Sequence, residues 1–181
     1  GRLLLVIETR MRSFLREVPD FPEPGIVFKD ITPLLGDHGA FVEALDAMIE
    51  PFRDSGVTKV VGVEARGFIF AAPLAMRLGA GFIPVRKPGK LPHDVHHQVY
   101  DLEYGTDRVE IHRDAATPDD NVLVVDDVLA TGGTGRATTD LIRVLGAHVV
   151  GFSVLAELAF LGGRERLGGV DVHAVVRYGA S

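Results

Sequence analysis

The stretch VLVVDDVLATGGTG, Val122 to Gly135, decides the fold. Its first four residues are apolar whichever way they face, as in a strand covered on both sides of a parallel sheet. Two acids follow, then a Thr/Gly-rich turn, and from Gly133 to Leu145 the apolar residues Ala137, Leu141, Val144 and Leu145 recur at helical spacing. Gly146 ends that helix. The stretch therefore predicts a strand over 122–127, a tight turn, and a helix.

The same unit repeats outward in both directions. TKVVGVE, 58–64, predicts a second central strand, with a helix from Gly67 to Leu78 stopped by Gly79. GFIPVRK, 81–87, HVVGFSVLAEL, 148–158, and a segment near 171–176 predict further strands. Asp37 is placed to cap a helix over 39–53 that carries Phe41, Leu45, Met48 and Ile49 on one face, with Gly56 as its stop, and a short helix is predicted near 161–167. Alternating strands and helices of this kind build an α/β domain with a mainly parallel central sheet flanked by helices. Ligands of such sheets gather beyond the carboxyl ends of the strands.

Three segments depart from that rhythm. Residues 1–17 place Leu3, Leu4, Ile7, Met11, Phe14 and Leu15 on an amphipathic helical face. VPDFPEPG, 18–25, holds three prolines and a glycine and predicts a stiff, extended connection. After the breaker-rich loop KPGKLPHD, alternation around Gly105 predicts an antiparallel hairpin over about 96–113. There is no internal repeat or low-complexity tract, so residues 1–181 are expected to form one domain, with an N-terminal helix and hood segment over about 1–35 and a hairpin lid over about 88–113.

The chain of 181 residues is 46% hydrophobic and 24% charged, with a net charge of -6 and no block of Lys or Arg. A concentrated basic face is what nucleic acid or an anionic membrane would require, so neither partner is expected. Cysteine is absent, which removes disulfides, thiolate metal sites and Cys nucleophiles and suits a cytoplasmic protein. The longest apolar run near the N-terminus, LLLVI, is too short to span a bilayer.

The turn after the acids has the chemistry of an anion cup. Gly132 and Gly133 let successive N–H groups converge, Thr131 and Thr134 add hydroxyl donors, and the helix that follows presents the positive end of its dipole. A nucleoside-triphosphate loop would end in Gly-Lys-Ser/Thr, whereas here Thr134 is followed by Gly135 and Arg136. Ala130 to Thr134 therefore predicts a lysine-free cup for a phosphate monoester. Asp126 and Asp127 make sense beside it as acceptors for neighbouring sugar hydroxyls. Together they fit a ribose 5-phosphate, with the acids also placed to favour positive charge at its anomeric carbon.

VLVVDDVLATGGT resembles the phosphoribosyl-pyrophosphate motif of the type I phosphoribosyltransferases. Four further stretches resemble the adenine-specific branch of that family, in the same order: FPEPGIVFKDITPLL (21–35), VVGVEARGFIFAAPLA (60–75), PVRKPGKLP (84–92) and YDLEYGTDRVEIH (100–112). The resemblance covers roughly 14–168. It implies the type I phosphoribosyltransferase fold with a flexible hairpin lid. It also implies a magnesium-dependent reaction of adenine with phosphoribosyl pyrophosphate to give AMP and pyrophosphate, and a homodimer.

The resemblance also distributes roles. Glu64, Ala65, Arg66 and Gly67 match the pyrophosphate loop, with Arg66 at the catalytic centre, and Arg86, Lys87 and Lys90 match the cations that hold the leaving group. Val27, Phe28 and Lys29 match the adenine segment, Phe28 by stacking and its neighbours through the main chain. Lys29 stands where the family often has Arg. Glu103 and Tyr104 match the lid's catalytic pair, with Glu103 as acid/base partner of a purine nitrogen. Magnesium is expected to be held mainly by the substrate, with Asp126 and Asp127 as the protein's contribution and no dedicated protein ligand set.

Each assignment has a plainer competitor. Arg66 would fit a surface pair with Glu64, the cations near Pro88 a solvated loop, Phe28 the core, and Glu103 a solvent-facing strand position. His93, His96 and His97 have no acid or Cys at fitting spacing and read as a polar loop rather than a metal site. A non-enzymatic sensor of phosphoribosyl pyrophosphate, or a transferase for another purine, are the rival functions.

Overall fold

In the computed structural model, residues 1–102 and 104–179 are described. Among them, the β-branched runs predicted as central strands are the inner strands of a five-stranded parallel sheet. In chain order the relevant elements are α1 (Arg2–Ser13), β1 (Arg16–Pro19), β2 (Val27–Asp30), α2 (Thr32–Leu35), α3 (His38–Ile49), β3 (Lys59–Val63), α4 (Arg66–Leu78) and β4 (Gly81–Val85). Then follow β5 (Val95–Asp101), β6 (Thr106–His112), β7 (Asn121–Leu129), α5 (Gly133–Val144), β8 (His148–Leu158), α6 (Gly163–Arg166) and β9 (Val172–Tyr178). The sheet order is β4-β3-β7-β8-β9, all pairs parallel, with β1-β2 and β5-β6 as separate antiparallel ribbons.

Both faces of the sheet are dry, which is why the central strands carry no polar alternation. Val122 and Val124 of β7 face a core shared with Ala137, Leu141 and Ile142 of α5, while Leu123 and Val125 face one shared with Met48 of α3 and Phe70 and Leu74 of α4. Each such fully buried large side chain contributes about 1.5–3 kcal/mol of transfer free energy. At Gly62 of β3 a Cβ would stand 2.6 Å from Ala71 Cβ, so the missing side chain is what lets α4 lie close on the strand.

Local signals hold in most places. Asp37 caps α3, its Oδ1 accepting from Ala40 N at 2.9 Å. Gly79 closes α4 with φ 65°. α3 ends at Ile49, earlier than predicted, because Pro51 follows within a 3₁₀ turn, Glu50–Phe52. Val144, predicted to face in, is exposed, as are Leu3 and Leu4 of α1, while Met11 and Leu15 are buried.

The segment predicted as an extended connection is more ordered than its prolines suggest. β1 and β2 pair from Arg16↔Asp30 to Pro19↔Val27, forming a ribbon around the proline-rich turn. Pro19 is tolerated because it stands at the end of the strand, and a two-stranded ribbon leaves one side of each strand without a ladder to break. No helix among the described residues is long and apolar enough to cross a membrane.

Candidate active site

The sheet order dictates where a cleft opens. β3 leads through α4 to β4 on one side, β7 leads through α5 to β8 on the other, and the chain reverses direction between β3 and β7. At such a switch point the two crossovers diverge and leave a crevice at the carboxyl ends of the strands. β3 and β7 pair as far as Gly62↔Val125, after which β3 turns away and β7 continues beside β8 alone. Asp126 and Asp127 are the first residues of β7 beyond the β3 pairing. They lie inside a strand that runs on to Leu129, not at the strand's end as the sequence suggested.

A cavity of ≈ 430 Å³ fills the crevice. Asp126, Asp127, Ala130 and Thr134 form one wall, Glu64, Ala65 and Arg66 another, and Val27, Phe28 and Lys29 of β2 a third. Lys87 and Leu158 also line it. A smaller cavity of ≈ 100 Å³ adjoins, walled by Asp126 and by the turn residues Ala130 to Gly135. Gly132 has φ +86° at the amino end of α5, a conformation other residues adopt only with strain. The lysine-free cup and the acids thus share one crevice.

Close approach of backbone sets the charges. A Cβ on Gly67 would stand 2.9 Å from Asp126 Oδ1, so only glycine lets the first turn of α4 rest on that acid. Arg66 Nε lies 2.8 Å from Asp127 Oδ2, and the Arg66 guanidinium carbon lies 5.4 Å from the centre of the Phe28 ring. Arg66 is therefore paired with Asp127, not with Glu64. Burial pushes the Asp126 carboxyl well above its ordinary pKa, and the adjacent Asp127 pushes it further.

Glu64 serves the neighbouring segment. Its Oε1 accepts from Lys87 N at 2.6 Å and lies 3.3 Å from Arg86 Nε. The Lys87 ammonium donates to Tyr100 Oη at 2.8 Å and to the Asp107 carboxylate, both on the β5–β6 hairpin. Burial alone would lower the Lys87 pKa, but Asp107 and Tyr100 outweigh it and hold the ammonium above its ordinary value.

A profile of the phosphoribosyl transferase domain matches residues 35–171. The chain is 58% identical to the adenine phosphoribosyltransferase of Thermobifida fusca over 169 residues, which is 93% of this chain and 96% of that protein. It belongs to the adenine phosphoribosyltransferase family.

Solved adenine phosphoribosyltransferases superpose along nearly the whole chain. That of Rhodothermus marinus has a TM-score of 0.92 at 51% identity, covering 96% of this chain and 99% of its own. The Saccharomyces cerevisiae enzyme, solved with D-2,5-dideoxy-2,5-imino-altritol 1,6-bisphosphate and adenine, has a TM-score of 0.89 at 37% identity, covering 94% and 99%.

Not every residue singled out from the family resemblance joins the crevice. Arg86 does not line it; its main chain bridges to Glu110 of β6 with N–H···O distances of 3.0 and 2.8 Å. Lys90 is exposed and Tyr104 is 89% exposed, and neither lines either cavity. Glu103 lies outside the described residues. The Lys29 ammonium is turned toward Glu17, 2.7 Å away, and lies 4.1 Å over the Tyr178 ring, so it offers the crevice its main chain and stem.

Leu158 was not anticipated. It ends β8 and lines the larger cavity, and its position at the carboxyl end of a parallel strand was the available signal. Tyr100 and Asp107 were likewise hidden, because their importance comes from pairing across the hairpin, Tyr100↔Asp107, beneath Lys87.

Proposed function

We infer that the protein catalyses transfer of a 5-phosphoribosyl group from phosphoribosyl pyrophosphate to adenine, giving AMP and pyrophosphate. The observation that carries this is the placement of the acid pair between two recognition surfaces: the Ala130–Thr134 cup on one side and the Phe28 wall on the other, within adjoining cavities.

The 5-phosphate sits in the cup, on main-chain donors and the amino end of α5. Asp126 and Asp127 accept from the ribose hydroxyls. Adenine lies against Phe28 and Leu158, read by the main chain around Val27 and Lys29. Arg66, Lys87 and the main chain of Glu64–Gly67 face the pyrophosphate, with Arg86 and Lys90 supplying further positive charge. As the C1–oxygen bond breaks, these cations stabilise the departing charge, and adenine N9 forms the new bond to C1 from the opposite face. Both reactants are oriented by binding, so no side-chain nucleophile is required. Glu103 handles the purine proton, and Tyr104 accompanies it on the lid.

Magnesium belongs to this reading as a partner of the substrate. Among the described residues there is no cluster of three or more candidate metal-ligating side chains. Asp127 Oδ2 is buried, balanced in charge by Arg66 but accepting no hydrogen bond, and a hard carboxylate oxygen beside a polyphosphate site would suit a magnesium held mainly by substrate and water. Held there, a magnesium ion would supply charge neutralisation to the departing pyrophosphate.

The proposal extends to a cytoplasmic homodimer. Leu3, Leu4, Leu5 and Val6 of α1 are exposed and would gain by being covered. Incubation with phosphoribosyl pyrophosphate, magnesium and adenine, hypoxanthine, guanine or xanthine in turn should yield AMP from adenine alone. Formation of a different nucleotide, or of none, would overturn the assignment. Light scattering should give twice the chain mass.

A further inference from the structure

The floor of the phosphate cup is made of backbone resting on backbone. A Cβ on Gly132 would stand 2.6 Å from the Gly163 carbonyl oxygen and 3.1 Å from Arg166 Cβ. Conversely, a Cβ on Gly163 would run into the Ala130 carbonyl oxygen and come within 3.1 Å of Leu129 Cδ1. The turn that forms the cup and the first residue of α6 therefore touch with no side chain between them. Any shift of α6 is felt at once by the cup.

α6 cannot supply that constancy alone. It has four residues, too few to be stable as an isolated helix. What fixes it is Arg164. Its Nη2 and Nε donate to the two oxygens of Glu157 at 2.6 and 3.1 Å, and its Nη1 donates to the Val172 carbonyl at 2.6 Å. Glu157 is 2% exposed and also accepts from Arg177 Nε at 3.0 Å. Burial pushes the Glu157 carboxyl up, yet Arg164 and Arg177 together outweigh it and hold the group below its ordinary pKa, so it stays ionised. A buried carboxylate held this way is costly to disturb, because losing one partner strands the other's charge.

The register ties this ion pair to the cup. Glu157 is the cross-strand partner of Leu129, the residue immediately before Ala130. On the far side, Arg136 of α5 donates through Nη1 to the Arg166 carbonyl at 3.1 Å, so α6 is also clasped by the helix whose amino end forms the cup. The cup is thus held from beneath by one anchored turn.

We propose that Glu157 and Arg164 are positioning residues for the 5-phosphate, acting by docking α6 under the Ala130–Thr134 turn. This rests on the reading that the turn seats the phosphate. Neither residue lines either cavity, so their influence on substrate passes through Gly163 and Gly132. Displacing a recognition group by about 1 Å costs on the order of a hundredfold in rate in well-organised sites.

The test compares the full chain with its Glu157→Gln, Arg164→Lys and Gly163→Ala variants. Ribose 5-phosphate serves as a probe for the cup, alongside the KM values for both substrates and the melting temperature. Variants that fold should bind ribose 5-phosphate about tenfold or more weakly and raise KM for phosphoribosyl pyrophosphate in step, while KM for adenine stays within about twofold. Arg164→Lys, which keeps the charge but not the fork, should lose less than Glu157→Gln. Folded variants with parental ribose 5-phosphate affinity would overturn the proposal. So would equal losses for both substrates tracking the fall in melting temperature, the mark of a merely structural ion pair. Failure of the parent chain itself to bind ribose 5-phosphate would instead sink the reading of the cup, and the proposal with it.

Discussion

Arg66 Nε sits 2.8 Å from Asp127 Oδ2, an ion pair that closes the gap where β3 and β7 part. Half of the Arg66 side chain is exposed while that of Asp127 is almost wholly buried, so the arginine is the member free to leave. On the proposed reading, substrate binding would exchange partners, the guanidinium going to phosphate oxygens and the carboxylate to a ribose hydroxyl. The pair balances the two charges but leaves Asp127 Oδ2 without a hydrogen bond, an acceptor still open to a ligand.

Replacing Asp127 with Asn would remove the charge proposed to accept from the sugar and leave Arg66 without its ionic partner. A hydrogen bond to a charged group contributes about 1.5–3 kcal/mol, so kcat/KM for phosphoribosyl pyrophosphate should drop by roughly ten- to a hundredfold. Steady-state kinetics check this; constants matching the parent would show that the acid does not touch the sugar.

Asp126 leads to a prediction about pH. Its carboxyl is held well above the ordinary value by burial and by Asp127, so the folded chain binds this proton more tightly than the unfolded chain does. Stability contributed at this position therefore falls as pH rises from the ordinary carboxylate range up to the raised value. An Asp126→Asn variant lacks that fall, and its Oδ1 can still accept from Asp127 N, a contact of 2.8 Å in the parent. The variant should gain melting temperature relative to the parent as pH rises from about 4 to about 8 while losing activity. Parallel curves of melting temperature against pH would contradict the buried proton.

How much of this was legible beforehand follows from the range of the interactions. β7, β8, α4 and α5 were readable because burial on both sheet faces, or on one helix face, writes a period into the sequence, and Asp37 and Gly79 mark element ends through contacts a few residues away. The acids and the glycine cup could be read for the same reason: they are contiguous. β1 and β2 were not, since Pro19, Pro22 and Pro24 argue locally against a ribbon that cross-strand pairing nevertheless stabilises. The partners of Arg66 and Lys87 were out of reach as well. Asp127 is 61 residues from Arg66 and Asp107 is 20 from Lys87, and no periodicity announces which charges meet.

Lys87 joins the crevice to the hairpin through Asp107 and Tyr100. Because its pKa is raised, this tie is intact at neutral pH and would be lost only as pH climbs through the alkaline value of the ammonium. Asp107→Asn should therefore loosen β5 and β6 at neutral pH: amide hydrogen exchange should quicken there and stay unchanged in β3, β7 and β8. KM for phosphoribosyl pyrophosphate should rise as Lys87 loses its fixed position. Unaltered exchange across the hairpin would mean that the ion pair does not hold it.

Phe28 stands on β2 with its ring edge-on to Phe21, centroids 5.3 Å apart, and with the Arg66 guanidinium on its other approach. Those neighbours fix the ring without burying it, which suits a stacking surface better than a core position. Base–aromatic stacking is worth about 1–3 kcal/mol per base by alanine substitution, so Phe28→Ala should raise KM for adenine by roughly five- to a hundredfold. The KM for phosphoribosyl pyrophosphate should barely move, since the cup and the acids lie on the opposite wall. Phe28→Tyr, which keeps the ring, should stay close to the parent. If alanine raises both KM values alike, Phe28 supports the β1–β2 ribbon and the base stacks elsewhere.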